Sequence, residues 1–553
     1  FDIQSVLSYN FAVFMWRVIL LAAVLRDQKK SFWEKYGIFI FFAVFSALLL
    51  SICSMCSFLF PIHNRVDQNV FFTIGREILD GKVIYRDLFE HKGPLTYFIH
   101  AAAALLSSTS FIGVYLIEII SLTVFMIFAY KTARLFTEST LSFYAVLTLT
   151  AVILCSECFL RGDNVEELCL PFLMISSYYM LRAIPLNNNA APKAQSPLVF
   201  FGNGLLFGTV LWIKFSLVGF WIGWVLVTFL PFLFRKEFKK FFYGVFLFFV
   251  GFVVTALPWI LYFYWKGALY DFLYTYFYCN IFLYKDDSGV LSRLISVCFG
   301  IGRNLIGNLL LVSASVYGLV RLCKIRVYSP LITYLCLYAG VFFGGRWYAY
   351  YYLILAFYAL FGIVYLLEDL KSFRFFLWFR FHLLKSLTLF LVFCLTGCAL
   401  CSNCFPFYKL EKSRYPQFQF ASYIRNSGIE NPTLLNYGFI DQGFYLAAEI
   451  SPINKYFCRV NIPYNALPEM YDQQKELIDQ KSVDFVVVRI AGTGKSIQND
   501  YIDSITSSNG YHFQNPSYVV GSDNLPLLFE NYELVMEMCD PYEEYNFGLF
   551  HRK

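Results

Sequence analysis

The chain has 553 residues, of which 58% are hydrophobic, 21% aromatic and only 15% charged, and its mean hydropathy is +0.56. Soluble globular proteins carry about 25% charged residues, so this composition excludes an ordinary cytosolic enzyme and also a disordered, collagen-like or coiled-coil chain. The net charge of +6 comes from basic residues scattered between apolar runs, which is not the pattern of a nucleic-acid-binding surface. The composition therefore predicts a polytopic α-helical membrane protein.

About eleven apolar runs approach the roughly 20 residues that a helix needs to cross the hydrocarbon core. They lie near residues 36–60, 110–130, 139–156, 166–182, 197–213, 215–234, 241–264, 302–320, 328–344, 348–367 and 385–404. The run 9–25 carries Arg17 at its centre and is either a further span or a surface helix. Residues 94–107 are too short to cross, and we interpret them as a helix in the outer interface.

Lysine and arginine collect in alternate loops, which the positive-inside rule places in the cytoplasm. These basic clusters lie at 26–35, 131–134, 182–193, 235–240, 321–326 and 371–385. Two predicted spans separate each cluster from the next if residues 94–107 do not cross. This predicts a multi-pass protein of the plasma membrane (the inner or cytoplasmic membrane of a bacterium) with a cytoplasmic N-terminus. The outer face then carries residues 61–109, 157–165, 265–301, 345–347 and everything after 404.

The composition changes after Pro406. Residues 407–553 contain no predicted span, but they contain turn signals, strand-like runs and a helical stretch near 468–480. This alternation of short strands and helices predicts a small exoplasmic α/β domain. The predicted organisation is therefore a membrane domain over 1–406, with a long first outer loop at 61–109, followed by a soluble domain over 407–553.

Several charged residues gather at predicted outer membrane boundaries. Asp67 is followed by apolar residues at helical spacing, which predicts an amphipathic helix, although Asp67 alone also suits a helix N-cap. Charged residues at membrane depth are costly and usually face a polar cavity. The other charged residues of this set are Lys92, Glu166, Glu167, Lys214 and Arg346. Their common side predicts a site for an anionic headgroup and for a nucleophile that needs a base.

These motifs resemble those of the GT-C membrane glycosyltransferases, in the bacterial branch related to protein O-mannosyltransferases and aminoarabinose transferases. That family has a first-loop acid, then two juxtamembrane helices, the second of which starts with a His/Lys-x-Pro-Leu motif. The matching residues are Asp67, Asp80-Gly81, Tyr85-Arg86-Asp87, His91-Lys92-Gly93-Pro94-Leu95, Asn164-Val165-Glu166-Glu167-Leu168 and Gly345-Arg346-Trp347-Tyr348-Ala349-Tyr350-Tyr351. Tyr350 stands where relatives often have histidine, which puts a proton-transfer or phosphate role there in doubt.

The resemblance implies an inverting transfer of a sugar from a polyprenyl-phosphate donor to an acceptor hydroxyl of a protein, lipid or glycan. Asp67 is then the general base, and Glu166 is the second acid, with Glu167 as its rival. Lys92 and Arg346 are the implied phosphate ligands. Lys214 is either a third phosphate ligand or a residue that extends to the interface.

The remaining predicted site residues form a substrate groove. Tyr348 and Tyr351 either line a lipid groove or belong to an interfacial aromatic belt. The other groove residues are His91, Tyr350 and Asp163. No cofactor is predicted, and no ligand set forces a metal, although members of this superfamily differ in their use of a divalent ion. The expected partners are the lipid donor, the acceptor and membrane lipids.

The main alternative is a membrane transporter or a flippase of lipid-linked glycans. The spans show no two-fold repeat of the kind that many secondary transporters carry, and the charges gather at one face, not at the midplane. A polysaccharide polymerase or ligase would share the lipid donor but would not need the His91-Lys92-Gly93-Pro94 helix entry. The P-loop-like string at 491–496 lacks its first glycine, and Glu118 and His100 are interpreted as locally satisfied polar groups.

Overall fold

The computed structural model describes residues 30–184, 196–284, 290–342, 347–371, 383–408, 410–491, 525–540 and 545–553. Helices dominate the chain up to residue 401. Those of ten or more residues in this part are Lys30–Cys53, Val66–Leu79, Pro94–Ala104, Ile112–Ala133, Ser139–Cys155, Val165–Arg182, Pro197–Leu211, Gly219–Phe234, Phe238–Trp265, Leu273–Leu283, Val290–Gly307, Leu309–Lys324, Ser329–Phe342, Ala349–Tyr358, Ala359–Leu370 and Leu383–Cys401. Each apolar run predicted to span the membrane overlaps one or more of these helices.

By length and apolar composition, five helical segments within the described ranges could cross a membrane. They are Tyr36–Cys53, Ile112–Ala133, Phe215–Phe234, Phe238–Trp265 and Ala349–Leu370. Shorter apolar helices lie at Ser139–Cys155, Pro197–Leu211, Ser329–Phe342 and Lys385–Cys401. Large apolar side chains on the long helix Phe238–Trp265 are exposed, as expected for a surface in contact with lipid.

The predicted span 302–320 is not one straight helix. The axes of Cys298–Gly307 and Leu309–Lys324 meet at 102°, and the break lies at Asn308. The Asn308 side chain accepts a hydrogen bond of 3.0 Å from the backbone N–H of Cys158, so the break is held by a contact with a distant loop. Apolar periodicity does not report such a contact.

The first outer loop contains the two predicted helices. Val66–Leu79 begins one residue before Asp67, and Pro94–Ala104 has 11 residues, which gives it a length of about 16 Å. This length is too short to cross a membrane, as predicted. The two helices touch at Gly75, where an added Cβ would lie 2.6 Å from the backbone carbon of His100. Glycine therefore permits the close contact that fixes the two helices together.

The C-terminal part contains a four-stranded sheet with the order β1-β2-β4-β3. The strands are β1 (Leu434–Asn436), β2 (Phe485–Ala491), β3 (Tyr532–Cys539) and β4 (Tyr545–Arg552). β1 and β2 are parallel, whereas β4 pairs antiparallel with both β2 and β3. The sequence predicted the first three strands and the helix Pro468–Asp479, but it missed β4.

Strand β2 contributes side chains to cores on both faces of the sheet, because successive side chains of a strand point to opposite faces. On β2, Val486 and Val488 contribute to a separate core of the C-terminal part. Phe485 and Val487 contribute to the main core, which also contains residues of the membrane helices. The C-terminal part is thereby packed against the helical bundle.

Polar contacts join the C-terminal part to the first outer loop. Arg76 donates a hydrogen bond of 3.1 Å to the carbonyl of Ile450, and the backbone N–H of Phe89 donates one of 2.9 Å to the carbonyl of Lys455. The helix that carries Asp67 is therefore held between the bundle and the C-terminal part, and is buried over most of its length.

Candidate functional site

A cleft opens where the first outer loop, the tyrosine-rich segment after residue 346 and the C-terminal part meet. Its empty volume is about 680 Å³, including the solvent at its mouth. It is lined by Arg65, Val66, Asp67, Gln68, Val70, Phe71, Glu90, His91, Lys92, Leu160, Asn164, Tyr284, Tyr348, Tyr350, Ile440, Val460 and Asn461. The walls thus combine acidic and basic side chains with tyrosines and side-chain amides.

Asp67 lies in the first turn of its helix. The N-cap position belongs to Arg65, which has extended backbone dihedrals and makes no capping hydrogen bond with its side chain. A carboxylate in the first turn still complements the helix dipole. Within the described ranges, no side chain or backbone group donates a hydrogen bond to the half-buried Asp67 carboxylate. The Asp67 carboxylate is therefore not an N-cap, and it is available to a ligand in the cleft.

Lys92 and Glu90 form an ion pair beside Asp67, with 3.6 Å between Lys92 Nζ and Glu90 Oε1. Burial disfavours the charge of Lys92, but the carboxylates of Glu90 and Asp67 raise its pKa above the ordinary lysine value. Burial would likewise raise the pKa of Glu90, but Lys92, His91 and a hydrogen bond from Tyr97 together lower it to about 2. Both groups are therefore charged at neutral pH.

Glu166 and Lys214 form a second ion pair next to the cleft. Lys214 Nζ donates a hydrogen bond to Glu166 Oε1, while Glu166 Oε2 is buried and has no hydrogen-bond partner among the described residues. The negative charge of Glu166 acts on Lys92 and on Tyr350. Lys214 Nζ also lies 4.1 Å from the ring centroid of Tyr351, in the range of a cation–π contact.

Two unusual helical segments supply the aromatic wall. Tyr284 directly follows the π-helix Leu273–Leu283, and its ring centroid lies 4.7 Å from that of His91. Tyr348 precedes the 3₁₀ helix Ala349–Tyr358, and its ring stacks on that of Tyr350 at 5.5 Å. Segments of this kind are frequent at functional sites because they redirect side chains.

A sealed group of acids lies behind the cleft. Asp163 contacts His100 Nε2 at 3.0 Å, and Glu118 accepts a hydrogen bond of 2.7 Å from the backbone N–H of Asp163. Glu167 points to the same group: both of its carboxylate oxygens are buried, and neither has a hydrogen-bond partner among the side chains described. None of these four side chains lines the cleft.

Comparisons with known proteins agree with this architecture. The family model of dolichyl-phosphate-mannose-protein mannosyltransferases matches residues 91–262. The crystal structure of ArnT from Cupriavidus metallidurans bound to undecaprenyl phosphate aligns with a TM-score of 0.59 at 11% identity, over 93% of this chain and 98% of that one. The chain therefore has the fold of this membrane glycosyltransferase.

Two further structural matches have lower scores. The apo form of the same ArnT gives a TM-score of 0.58 at 11% identity, over 97% of this chain and 98% of that one. The oligosaccharyltransferase AglB from Archaeoglobus fulgidus, in complex with an inhibitory peptide and a dolichol-phosphate, gives 0.45 at 13% identity, over 95% and 75%. No curated protein sequence matches this chain.

The structural match to ArnT confirms the predicted GT-C-like fold class, an integral membrane protein with many apolar helices and a small C-terminal α/β part. Of the predicted site residues, five line the cleft, namely Asp67, His91, Lys92, Tyr348 and Tyr350. Glu166, Lys214 and Tyr351 stand directly beside them. Arg346 lies outside the described residues.

Asp163 and Glu167 occupy a different place from that predicted. Asp163 is 1% exposed and is paired with His100, so it does not contribute to the wall of the groove. Successive residues of a helix point about 100° apart, which is why Glu166 pairs with Lys214 beside the cleft while Glu167 neighbours Asp163 of the sealed group. His100 and Glu118 are satisfied by local partners, as the sequence predicted.

Several residues of the cleft were missed from the sequence. Glu90 adjoins the His91-Lys92 motif, and its charge next to two cationic side chains was a usable signal. Tyr284 and Asn461 carried no such signal, because they reach the cleft only through tertiary packing. Among the described residues, no group of three or more His, Cys, Asp or Glu side chains could hold a metal ion.

Proposed function

We propose that this protein transfers a sugar, with inversion, from a polyprenyl-phosphate donor to an acceptor hydroxyl at the outer face of the membrane. The observation that carries the proposal is the presence of Asp67 and Lys92 in one cleft, with the Glu166–Lys214 pair beside them. A base and a phosphate ligand within one cleft are what such a transfer needs.

The chemistry follows from these positions. Asp67 takes the proton of the acceptor hydroxyl as its oxygen forms a bond to the anomeric carbon. The bond from that carbon to the phosphate oxygen breaks, and the lipid phosphate leaves with the electron pair from the opposite face of the sugar. Lys92 compensates the negative charge that accumulates on the departing phosphate.

Glu166 and Lys214 extend this arrangement. The free Oε2 of Glu166 is suited to accept a hydrogen bond from the sugar or the acceptor. Lys214 is already paired with Glu166, so we assign it first to orienting that carboxylate and second to the phosphate. The stacked rings of Tyr348 and Tyr350 offer a flat apolar surface for the first isoprene units of the donor.

A lipid-phosphate donor is supported by two of the comparisons. The matching family model describes dolichyl-phosphate-mannose-protein mannosyltransferases, and the ArnT structure with the same fold was determined with undecaprenyl phosphate bound. The loop distribution of lysine and arginine supports an outer position for the cleft in a plasma membrane. The acceptor belongs to the proteins, lipids or glycans outside the cell.

The test is incubation of the purified protein with a panel of polyprenyl-phosphate sugars while hydrolysis or transfer is measured, with and without a chelator of divalent ions. We expect Asp67→Asn to lower the rate by about 10²-fold or more. Asp80→Asn is the matched control, because Asp80 is exposed at the end of the same helix and is absent from the cleft wall.

Two outcomes would contradict the proposal. Equal rates for the wild type and Asp67→Asn would remove Asp67 as the base. Movement of a lipid-linked glycan across a vesicle bilayer without consumption of the donor would identify a flippase instead.

A further inference from the structure

Gln68, the residue after Asp67, has a half-satisfied amide in the cleft wall. Its side-chain Nε2 donates hydrogen bonds to the backbone carbonyls of Asp163 at 3.0 Å and Gly162 at 3.4 Å. Its Oε1 is buried and has no hydrogen-bond partner among the residues the structure describes. Because both nearby partners are carbonyls, the NH₂ group must face them, and the amide orientation is fixed.

The two carbonyls that hold Gln68 are themselves rigidly placed. Glu118 accepts hydrogen bonds from Ser54 and from the backbone N–H of Asp163, and the Asp163 carboxylate is paired with His100. Gly162 has a φ of +88°, and a Cβ there would lie 2.5 Å from a carboxylate oxygen of Glu118. The sealed acids thus act as the support for one wall of the cleft.

We infer that Gln68 Oε1 accepts a hydrogen bond from a hydroxyl group of the donor sugar. Buried polar atoms of native proteins are nearly always paired, and this one belongs to a side chain that lines the same cleft as Lys92 and Asp67. The sugar is joined directly to the phosphate that Lys92 would bind, so its hydroxyls lie within reach of neighbouring walls. The inference rests on the proposed function and adds a specificity contact to it.

The test compares Gln68→Met with Gln417→Met. Methionine keeps the length of the side chain but removes the amide. Gln417 is an equally buried glutamine whose Nε2 donates to the carbonyl of Gln442 at 2.9 Å and whose Oε1 also lacks a partner among the described residues. It lies in the helix Pro416–Asn426, away from the cleft wall. We expect about a tenfold loss of kcat/KM for Gln68→Met and wild-type kinetics for Gln417→Met.

Donor analogues that each lack one hydroxyl separate a binding contact from mere support of the fold. The wild type should lose about tenfold on one deoxy donor, and Gln68→Met should process that donor and its parent at equal rates. The inference alone would be overturned if the wild type is active and Gln68→Met loses the same factor of kcat/KM as the wild type on every deoxy donor. A wild type that consumes no polyprenyl-phosphate sugar would overturn the proposed function and the inference together.

Discussion

Two groups of carboxylates lie close together at one end of this protein, and they differ in access. The Asp67 carboxylate faces a cleft and receives no hydrogen bond from the described residues, while Lys92 and Glu90 beside it form an ion pair. Glu118 and Asp163 are fully enclosed, and their partners are a serine, a backbone N–H and a histidine. Both groups contain acids near a predicted membrane boundary, so the acids alone do not distinguish them.

The difference shows how a site can be recognised in such a protein. Glu118 and Asp163 have partners within the fold and support it, and the unpaired oxygens of Glu167 behind them do not line the cleft. The cleft wall, by contrast, has acceptor atoms at Asp67 and Gln68 that the described part of the chain does not satisfy, and Glu166 has another beside it. Unsatisfied acceptors next to a cation suit a ligand that carries both hydroxyls and a phosphate.

After Asp67→Asn, the largest loss of activity should come from Lys92→Gln. Loss of the ammonium removes the charge that we assign to the leaving phosphate, and we expect kcat/KM to fall by roughly 10²-fold. The measurement is donor consumption by the purified variant in the assay described above. Lys92→Gln also leaves Glu90 with less compensation in a buried position, so a stability loss accompanies it.

A double variant separates these two consequences. Glu90→Gln combined with Lys92→Gln removes both charges of the pair, so thermal stability should return toward that of the wild type while activity stays low. Recovery of activity in the double variant would show that Lys92 serves only to neutralise Glu90.

A smaller effect should separate Glu166 from Glu167, which are adjacent in sequence. Glu166→Gln keeps the shape of the side chain. It weakens the contact with Lys214 and removes the negative charge from the unpaired acceptor oxygen of Glu166, so we expect a loss of about tenfold in kcat/KM. Glu167→Gln replaces an acid that neighbours Asp163 within the sealed group, and the activity of the variant should stay within about twofold of the wild type. The reverse pattern would transfer the role of second acid to Glu167.

The fold was predictable because lipid imposes a length on every apolar helix. The prediction that residues 94–107 do not cross the membrane also followed from length, and the structure has a short helix there. The break at Asn308 was not predictable, since it depends on a contact with Cys158. β4 was missed because Asn546 and Gly548 interrupt its apolar residues, although the strand is fully paired with β2 and β3.

The site was predictable only in part. Asp67 and Lys92 carried the family resemblance, and the structure places them together. The direction of the Asp163 side chain depends on its contact with the buried His100, 63 positions earlier in the sequence. No local sequence pattern reveals such a contact. Ile440, Val460 and Asn461 come from the C-terminal part, whose contribution to the cleft requires knowledge of how it packs on the first outer loop.

Asp441, in the C-terminal part, allows the cost of enclosing an acid to be measured at a residue that lies outside the membrane and does not line the cleft. It is fully buried, and its Oδ1 accepts hydrogen bonds from Asn436 and from the backbone N–H of Phe444, while its Oδ2 has no partner among the described residues. Burial raises the pKa of Asp441 to about 6, although these hydrogen bonds oppose the shift. The folded state therefore binds the proton more tightly than the unfolded state, and stability falls as the pH rises from about 4 through 6.

Asp441→Asn should therefore raise the thermal midpoint at pH 7.5 by about 2–4 °C, and the gain should shrink as the pH is lowered to 5. The amide oxygen of the new side chain can accept the same two hydrogen bonds, and this side chain is uncharged at every pH. The exposed Asp472 supplies the control, since Asp472→Asn should leave the midpoint unchanged at both pH values. A midpoint gain that is equal at pH 5 and pH 7.5 would mean that enclosure of the Asp441 charge is not what limits stability. The cost of burying the Asp441 charge could then not be compared with the exposure of the Asp67 carboxylate in the cleft.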